Sequence, residues 1–225
     1  MSPELLSALR EDLAAKRPVA IATHLATQAQ RRIHPDDTAD ALHEAVIQAL
    51  RTDKPQTVED ADGSWFVRPY NPPLQMLVVG AVHIAQALVP MAKLAGYSVS
   101  VVDPRGQWAN PERFPNTELH VEWPDEWMEA HPPHTRTAVI VLTHDPKIDD
   151  PALEGALRSG AFYIGALGSK GNHGKRRQRL AKLGFDDADL DRIHGPIGLA
   201  IGARSPAEIA IATLAQVTSA LRQAK

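Results

Sequence analysis

The sequence predicts an α/β protein with a Rossmann-like, mainly parallel sheet and helices on both faces, preceded by a small N-terminal α+β subdomain. The first observation is a short apolar run that ends at Gly80 and is followed by helical periodicity from Val82 to Leu94. The second is a valine-rich run that ends at Asp103. The third is a pair of later apolar runs, 137–142 and 161–165, which both lead into polar residues. Strand, glycine turn, helix and strand in this order are typical of the βαβ unit of a dinucleotide-type fold.

Residues 1–72 are predicted to form the N-terminal subdomain, and residues 73–225 the Rossmann-like domain. The proline pair after Asn71 marks the boundary. The first segment is expected to contain a helix at 2–16, a strand at 19–25, a second helix at 34–51 and a hairpin at Asp62-Gly63. It shows no cluster of acids, bases or nucleophiles, so packing or a dimer surface is favoured over a catalytic role.

Composition and charge exclude several classes of function. The 225 residues are 44% hydrophobic, as in ordinary globular proteins, and a formal net charge of −3 gives no sign of a nucleic-acid or membrane-surface partner. No apolar run is long enough to span a bilayer and residues 1–16 have no signal-peptide pattern, so a cytoplasmic location is expected. The absence of cysteine excludes disulfides, cysteine metal ligands and a thiolate nucleophile in these residues. We predict no catalytic residues and no metal site.

The first glycine turn departs from a dinucleotide-binding fingerprint. Residues 80–85 read G-A-V-H-I-A, so Val82 stands where G-x-G-x-x-G has the glycine that lets a pyrophosphate approach the backbone. Asp103 follows about 20 residues later, where an acidic side chain can bind ribose hydroxyls. NAD(P) therefore remains an alternative ligand. Asp103 and Arg105 are expected to shape the edge of a ligand cleft rather than to form a salt bridge in the core, because both follow the end of a buried strand.

Polar residues also follow the strand predicted at 137–142. Thr143, His144 and Asp145 stand at its carboxyl end, where ligands bind in open α/β sheets. The run Asp149-Asp150-Pro151 is expected to start the next helix, with aspartate as the N-cap and proline at the first helical position. Asp150 is thus predicted to be structural, whereas Thr143, His144 and Asp145 fit a ligand site and a structural role equally well.

A glycine-serine turn and a basic helix follow the strand at 161–165. Gly168 and Ser169 precede a helix predicted at 172–183, and cationic side chains crowd its beginning: Lys170, Lys175, Arg176, Arg177 and Arg179. The helix dipole disfavours each cation there by ~0.3–1 kcal/mol. A bound anion would reverse that penalty, so Lys170, Lys175 and Arg176 are predicted to bind a phosphate-like group, with a solvated charged face as the alternative.

A second glycine-rich turn precedes the last predicted helix, which extends to about Arg222. Gly198 and Gly202 leave backbone N–H groups beside the start of this helix, where Ser205-Pro206-Ala207-Glu208 reads as a capping box. The turn is either a second anion cradle or a tight turn packed against the sheet, and the sequence favours neither.

These motifs stand in five segments, in the order GAVHIAQAL, VVDPR, VLTHDPKIDDPAL, FYIGALGSKGNHGKR and IHGPIGLAIGARSPAEIA. In combination they resemble the XdhC/CoxI family, accessory factors for molybdenum hydroxylases such as xanthine dehydrogenase, aldehyde oxidoreductase and carbon monoxide dehydrogenase. The resemblance covers residues 72–222. It implies a Rossmann-type domain that binds the molybdenum cofactor, as molybdopterin or its nucleotide form, protects it while a cysteine desulfurase helps to install its sulfido ligand, and passes it to the client enzyme. The matching positions are Gly80, His83, Asp103, Thr143, His144, Asp145, Gly168, Ser169, Gly198 and Gly202.

Two departures refine what the resemblance implies. The segment before the Rossmann-like domain is much shorter than the usual family N-terminal domain and lacks its glycine–cysteine signature, and a chain without cysteine does not itself carry sulfur. The sequence therefore favours a non-enzymatic factor that holds the cofactor and docks with a client hydroxylase. The alternative is an NAD(P)-dependent oxidoreductase, with Asp103 on ribose and His144 as acid or base. A pure interaction module would leave the basic helix unexplained. A homodimer is expected, with a cysteine desulfurase as a candidate partner.

Overall fold

The chain folds as two units, Met1–Pro72 and a second that begins at Pro73, in a computed structural model that describes residues 1–223. The first unit contains α1 (Pro3–Ala14), β1 (Val19–His24), β2 (Gln30–Ile33), α2 (His43–Thr52), β3 (Gln56–Asp60) and β4 (Gly63–Tyr70). Its four strands form one antiparallel sheet in the order β2-β1-β4-β3. The α+β character predicted for this segment is confirmed.

One helix of the first unit begins later than the sequence pattern predicts. The helix expected at 34–51 begins at His43, because residues 30–33 pair with β1 and the chain then makes turns. In those turns Asp37 accepts a hydrogen bond from the N–H of His34, and Asp40 accepts one from the N–H of Leu42. Short polar side chains that satisfy nearby backbone groups compete with the helix.

The second unit contains six strands and six helices among the residues that the structure describes. In chain order they are β5 (Gln75–Val79), α3 (His83–Leu94), β6 (Ser98–Val102), β7 (Glu118–His120), α4 (Pro124–Ala130), β8 (Thr137–Val141), α5 (Pro146–Arg158), β9 (Tyr163–Ala166), α6 (Lys170–Ala181), α7 (Asp187–Asp191), β10 (Ile193–His194) and α8 (Pro206–Gln223). All strand pairs are parallel, and the order is β10-β9-β8-β5-β6-β7. The predicted Rossmann-like fold is confirmed.

Both faces of the parallel sheet are buried at its centre, which explains why the central strands β5 and β8 are almost continuously apolar. Met76 and Val78 point to a core that includes α3 and α8, whereas Leu77 and Val79 point to a core that includes α5 and α6. Parallel sheets covered on both faces have such strands because neither side of the pleat meets water. Within residues 1–223, none of the helices is long and apolar enough to cross a membrane.

Two helix starts in this unit also differ from the sequence expectation. Helix α5 begins at Pro146 with Asp145 as its N-cap, so Asp149 and Asp150 lie inside the helix and Pro151 does not start it. Helix α6 begins at Lys170, with Ser169 as its N-cap, rather than at residue 172. Because all strands are parallel, their carboxyl ends meet at one edge of the sheet, and both helix starts lie at that edge.

The turn between β5 and α3 allows a test of backbone geometry. Gly80 has a φ of +104°, and a Cβ atom there would lie 2.6 Å from Cγ2 and 3.3 Å from the backbone nitrogen of Thr143. Gly96 has a φ of +88°, but a Cβ atom there would meet nothing within 4 Å. Alanine is strained by about 1–3 kcal/mol at either position.

We therefore expect Gly80→Ala to lower the free energy of unfolding by at least about 1 kcal/mol more than Gly96→Ala, because only Gly80→Ala adds a steric clash. Urea denaturation of the two variants and the wild type measures the difference. Equal losses at the two positions would show that β8 does not constrain this turn.

Candidate functional site

An open cleft lies at the carboxyl ends of β5 and β8. Its volume is about 490 Å³, and we call it the wide cleft; its lining residues are Val82, Arg105, Leu142, Thr143, His144, Asp145 and Pro146. From β5 the chain proceeds to β6 and β7 on one side of the sheet, and β8, β9 and β10 follow on the other side. The cleft therefore lies at the topological switch point, which is where open α/β sheets bind ligands.

Asp103 stabilises the turn that forms one wall of the wide cleft. Its carboxylate is fully buried and accepts hydrogen bonds from the N–H of Ala81 at 2.8 Å and of Arg105 at 3.0 Å. The guanidinium of Arg105 adds two more, at 2.8 Å each. Burial opposes ionisation, but the hydrogen bonds from Arg105 and Ala81 outweigh it and hold the pKa of Asp103 below its ordinary value.

This ion pair changes the interpretation of both residues. Asp103 forms a buried salt bridge, contrary to the sequence expectation, and its oxygens are occupied within the protein. Arg105 is partly exposed and lines the cleft, as expected. With Val82 in the turn and Asp103 occupied, the geometry gives no support to NAD(P) binding.

Thr143, His144 and Asp145 follow β8 into the wide cleft, where Thr143 is buried and both His144 and Asp145 are exposed. The hydroxyl of Thr143 donates to Asp149 and accepts a hydrogen bond from the N–H of Asp145 at 3.2 Å. Asp145 caps α5 by accepting from the N–H of Lys147 at 3.0 Å. Thr143 and Asp145 therefore shape the cleft while holding the β8–α5 turn, and His144 is an exposed polar side chain in its wall.

A buried chain of hydrogen bonds links β8, α5 and α6. Asp149, which is 2% exposed, accepts from Thr143 and from Nη2 of Arg176 at 3.1 Å. The same Nη2 donates to the carbonyl of Leu167 at 2.9 Å. We call Thr143, Asp149 and Arg176 the buried triad. Burial raises the pKa of Asp149 to about 6, although the hydrogen bonds from Thr143 and Arg176 favour its charged form.

A smaller cavity of about 210 Å³ lies between α5 and α6, and we call it the basic pocket. One face of α6 forms its cationic side through Asn172, Lys175, Arg176 and Arg179. The other side includes His144 and Pro146, which also line the wide cleft, so the two cavities adjoin there.

The cations predicted to crowd the start of α6 have different environments. Arg177 pairs with Asp187 and Asp191, and Arg179 pairs with Asp150, so both are neutralised within the protein. Lys170 is exposed and lines neither cavity. Of the three residues predicted to bind an anion, only Lys175 and Arg176 line the basic pocket.

The remaining predicted positions have mainly structural surroundings. Ser169 uses its hydroxyl to cap α6, accepting from the N–H of Asn172 at 3.2 Å. Gly198 is packed on α8, where a Cβ atom would lie 3.1 Å from that of Ala212. The remaining predicted residues lie outside the linings of both cavities: Gly80, His83, Gly168 and Gly202.

The same part of the chain matches a known protein family. Residues 76–217 match the model of the XdhC Rossmann domain. The chain belongs to the XdhC family.

Three curated relatives resemble this XdhC chain over most of its length. It is 30% identical over 151 residues to the molybdenum cofactor insertion chaperone PaoD of Escherichia coli K12, covering 67% of the chain and 41% of PaoD. It is 28% identical over 162 residues to a probable xanthine dehydrogenase subunit of Bacillus subtilis 168, covering 70% of the chain and 46% of that relative. It is 29% identical over 191 residues to the uncharacterised protein YqeB of Escherichia coli K12, covering 77% of the chain and 35% of YqeB. The XdhC chain thus spans less than half the length of these relatives.

A solved structure supports the XdhC fold. The crystal structure of a xanthine dehydrogenase from Bacillus halodurans superposes with a TM-score of 0.67 at 24% identity, covering 99% of this chain and 65% of that one. This similarity extends over both units of the XdhC chain.

Sequence reasoning missed several residues that line the two cavities. The sequence pattern assigns Val82 and Pro146 only to a turn and an element boundary, and it assigns Asp149 only to the run Asp149-Asp150-Pro151 that was expected to start a helix. The sequence did contain a signal that Asp149 is buried, because it lies on the same face of α5 as the apolar residues Ala152 and Leu153. A carboxylate on the buried face of a helix needs a partner, and here the partners are Thr143 and Arg176.

The first unit contains a group of three polar residues whose arrangement has a structural explanation. His34, Asp36 and Asp37 lie close enough together to hold a cation. However, Nε2 of His34 lies 3.0 Å from the buried carboxylate of Asp12, which also pairs with Arg17 and Arg32. The imidazole is therefore part of a charge cluster around Asp12.

The raised pKa of Asp149 predicts a pH-dependent stability. Between its ordinary value of 3.8 and about 6, the folded protein keeps a proton that the unfolded chain releases. This contribution to stability is complete below pH ~4 and is lost as the pH rises through about 6, a loss of about 3 kcal/mol. In Asp149→Asn this titration is absent, while the cost of the unpaired Arg176 stays the same at every pH.

Urea unfolding of both proteins between pH ~4 and ~7 measures the difference. The wild type should lose stability relative to Asp149→Asn as the pH rises. A difference in unfolding free energy that does not change with pH would contradict the assignment.

Proposed function

We propose that this chain is an accessory factor that binds a molybdenum pterin cofactor and assists its maturation and insertion into a molybdenum hydroxylase. The observation that carries the proposal is the pair of adjoining cavities at the switch point of the sheet, one wide and open, the other lined by cations. The similarity to PaoD, a molybdenum cofactor insertion chaperone, supports the same function.

The proposed cargo fits the chemistry of the two cavities. A pterin cofactor combines a ring rich in hydrogen-bonding groups with at least one phosphate, and often a nucleotide. The wide cleft, at about 490 Å³, falls within the roughly 300–1,000 Å³ of small-molecule sites. Arg105, His144 and Asp145 give it polar groups, and Lys175 and Arg176 give the neighbouring pocket cations for a phosphate.

The polar groups of the wide cleft suit holding a ligand better than transforming one. The hydroxyl of Thr143 donates to Asp149, Asp145 caps α5 and Arg105 is held by Asp103. A nucleophile or general base needs a free reactive atom near its target, whereas the hydroxyl of Thr143 is hydrogen-bonded in the turn and Oδ1 of Asp145 accepts from the start of α5. His144 would then position or shield the cargo without shuttling protons.

The partners of the chain belong to the same proposal. The insertion step requires a client molybdenum hydroxylase such as a xanthine, aldehyde or carbon monoxide dehydrogenase. Because the 225 residues contain no cysteine, sulfur for the cofactor would come from a separate cysteine desulfurase. We also propose a homodimer, which light scattering of the purified protein tests directly.

The function can be tested in cells that carry a molybdenum hydroxylase and lack this chain. Restoring the wild type should restore hydroxylase activity, whereas His144→Ala should restore roughly twofold to tenfold less, because a polar contact to the cargo is lost. His131→Ala is the control, since His131 is exposed and lies outside both cavities. Immunoblotting verifies that the amount of hydroxylase protein is unchanged.

Full hydroxylase activity in cells without the chain would contradict the proposal. So would hydride transfer at ordinary enzymatic rates when the purified protein is mixed with NADH or NADPH and a panel of aldehydes and hydroxy acids.

A further inference from the structure

Arg176 is buried in the wall of the basic pocket with part of its hydrogen-bonding capacity unused. The residue is 4% exposed, and its Nη2 donates to Asp149 and to the carbonyl of Leu167. Its Nε and Nη1 are also buried, yet they have no hydrogen-bond partner among the described residues. Buried donors of a charged group are costly when unsatisfied. Because Arg176 lines the basic pocket, a small shift of its side chain toward that cavity would bring both nitrogens to an acceptor bound there.

The charge of the pocket indicates that this acceptor is an anion. Three cations stand on the pocket face of α6: Lys175, Arg176 and Arg179. Asp149 pairs with Arg176 and Asp150 pairs with Arg179, which leaves one positive charge in excess. That charge belongs to Lys175, which is exposed and pairs with no carboxylate in the described part of the chain. A mobile cation beside rigid, buried guanidinium donors is a common way to bind phosphate oxygens.

The size of the pocket limits what part of a ligand it holds. At about 210 Å³ it is smaller than the roughly 300–1,000 Å³ of complete small-molecule sites, whereas the wide cleft falls within that range. The two cavities share His144 and Pro146 as lining residues. One ligand can therefore place a ring system in the wide cleft and an anionic group in the pocket.

We propose that the basic pocket is an oxyanion site that takes the phosphate or diphosphate group of a phosphorylated ligand, whose ring system lies in the wide cleft. Arg176 provides Nε–H and Nη1–H as donors once its side chain shifts toward the pocket, and Lys175 provides an exposed charge in the pocket lining. The site thus lies along the face of α6 that meets α5, rather than at the tip of the helix where the cations first suggested it. The identification of this ligand as the molybdenum pterin cofactor rests on the proposed function.

Isothermal titration calorimetry of the full chain with pyrophosphate, and with inorganic phosphate, tests the site. Arg176→Lys keeps a cation beside Asp149 but removes Nε and Nη1, so pyrophosphate should bind roughly tenfold to a hundredfold more weakly. Lys175→Gln should weaken binding by roughly twofold to fivefold, and added salt should reduce this difference. Lys182→Gln removes a charge from the other end of α6, outside the pocket, and should bind as the wild type does.

The outcomes separate this inference from the proposed function. Wild-type affinity for pyrophosphate in both Arg176→Lys and Lys175→Gln overturns the oxyanion site, whether or not the protein retains a molybdenum cofactor. Weakened pyrophosphate binding in a protein that retains no cofactor supports the site and contradicts the proposed function. If circular dichroism shows that Arg176→Lys does not fold, Lys175→Gln decides alone, since its side chain is exposed.

Discussion

The arrangement of the sheet edge depends on the buried carboxylate of Asp149. It lies on α5 and accepts hydrogen bonds from Thr143 at the end of β8 and from Arg176 on α6. It therefore fixes three elements relative to one another, and the two cavities lie on either side of His144 as a result. A buried ion pair often adds little net stability, because desolvation offsets the attraction, although removing one partner costs about 3–5 kcal/mol. We infer that Asp149 serves the positions of its partners more than the stability of the fold.

Asp103 and Asp149 show how two buried aspartates at one sheet edge acquire opposite pKa shifts. Asp103 receives four hydrogen bonds, three of them from Arg105 and one from the N–H of Ala81. Among the residues that the structure describes, Asp149 receives side-chain hydrogen bonds only from Thr143 and Arg176, and the nearby Asp150 further disfavours its charge. The donors overcome desolvation at Asp103, and desolvation dominates at Asp149. The turn after β5 is thus held by a carboxylate that stays ionised, whereas Asp149 holds its partners while remaining able to take a proton.

The sequence was sufficient for features that depend on local chemistry. The apolar run before Gly80 and the helix from Val82 to Leu94 predicted the central βαβ unit. The pattern of Ser205 and Glu208 predicted the capping box of α8, in which each residue accepts a hydrogen bond from the backbone of the other. In both cases the deciding interactions join residues that are close in the chain.

Features that depend on contacts between residues far apart in the chain could not be predicted from the sequence. Asp145-Pro146 and Asp150-Pro151 are equally good helix starts by local rules, and the first is chosen because it places Ile148 in the core with Ala152 and Leu153. The short strand β10 exists only through its pairing with β9. The charges of α6 predicted an anion at the helix start, but Arg177 and Arg179 find carboxylates on α7 and α5. The sequence therefore predicted several of the polar and basic residues that line the cavities at the sheet edge, but the pocket between α5 and α6 required the tertiary structure.

The central claim is that the cavities at this edge hold a phosphorylated pterin. Its most direct test is to purify the protein from a host that makes the molybdenum cofactor, denature it, and identify the released small molecules by mass spectrometry alongside a molybdenum determination. We expect a phosphorylated pterin with molybdenum, in amounts comparable to the protein. A protein that releases no pterin, or that releases a nicotinamide dinucleotide instead, would contradict it.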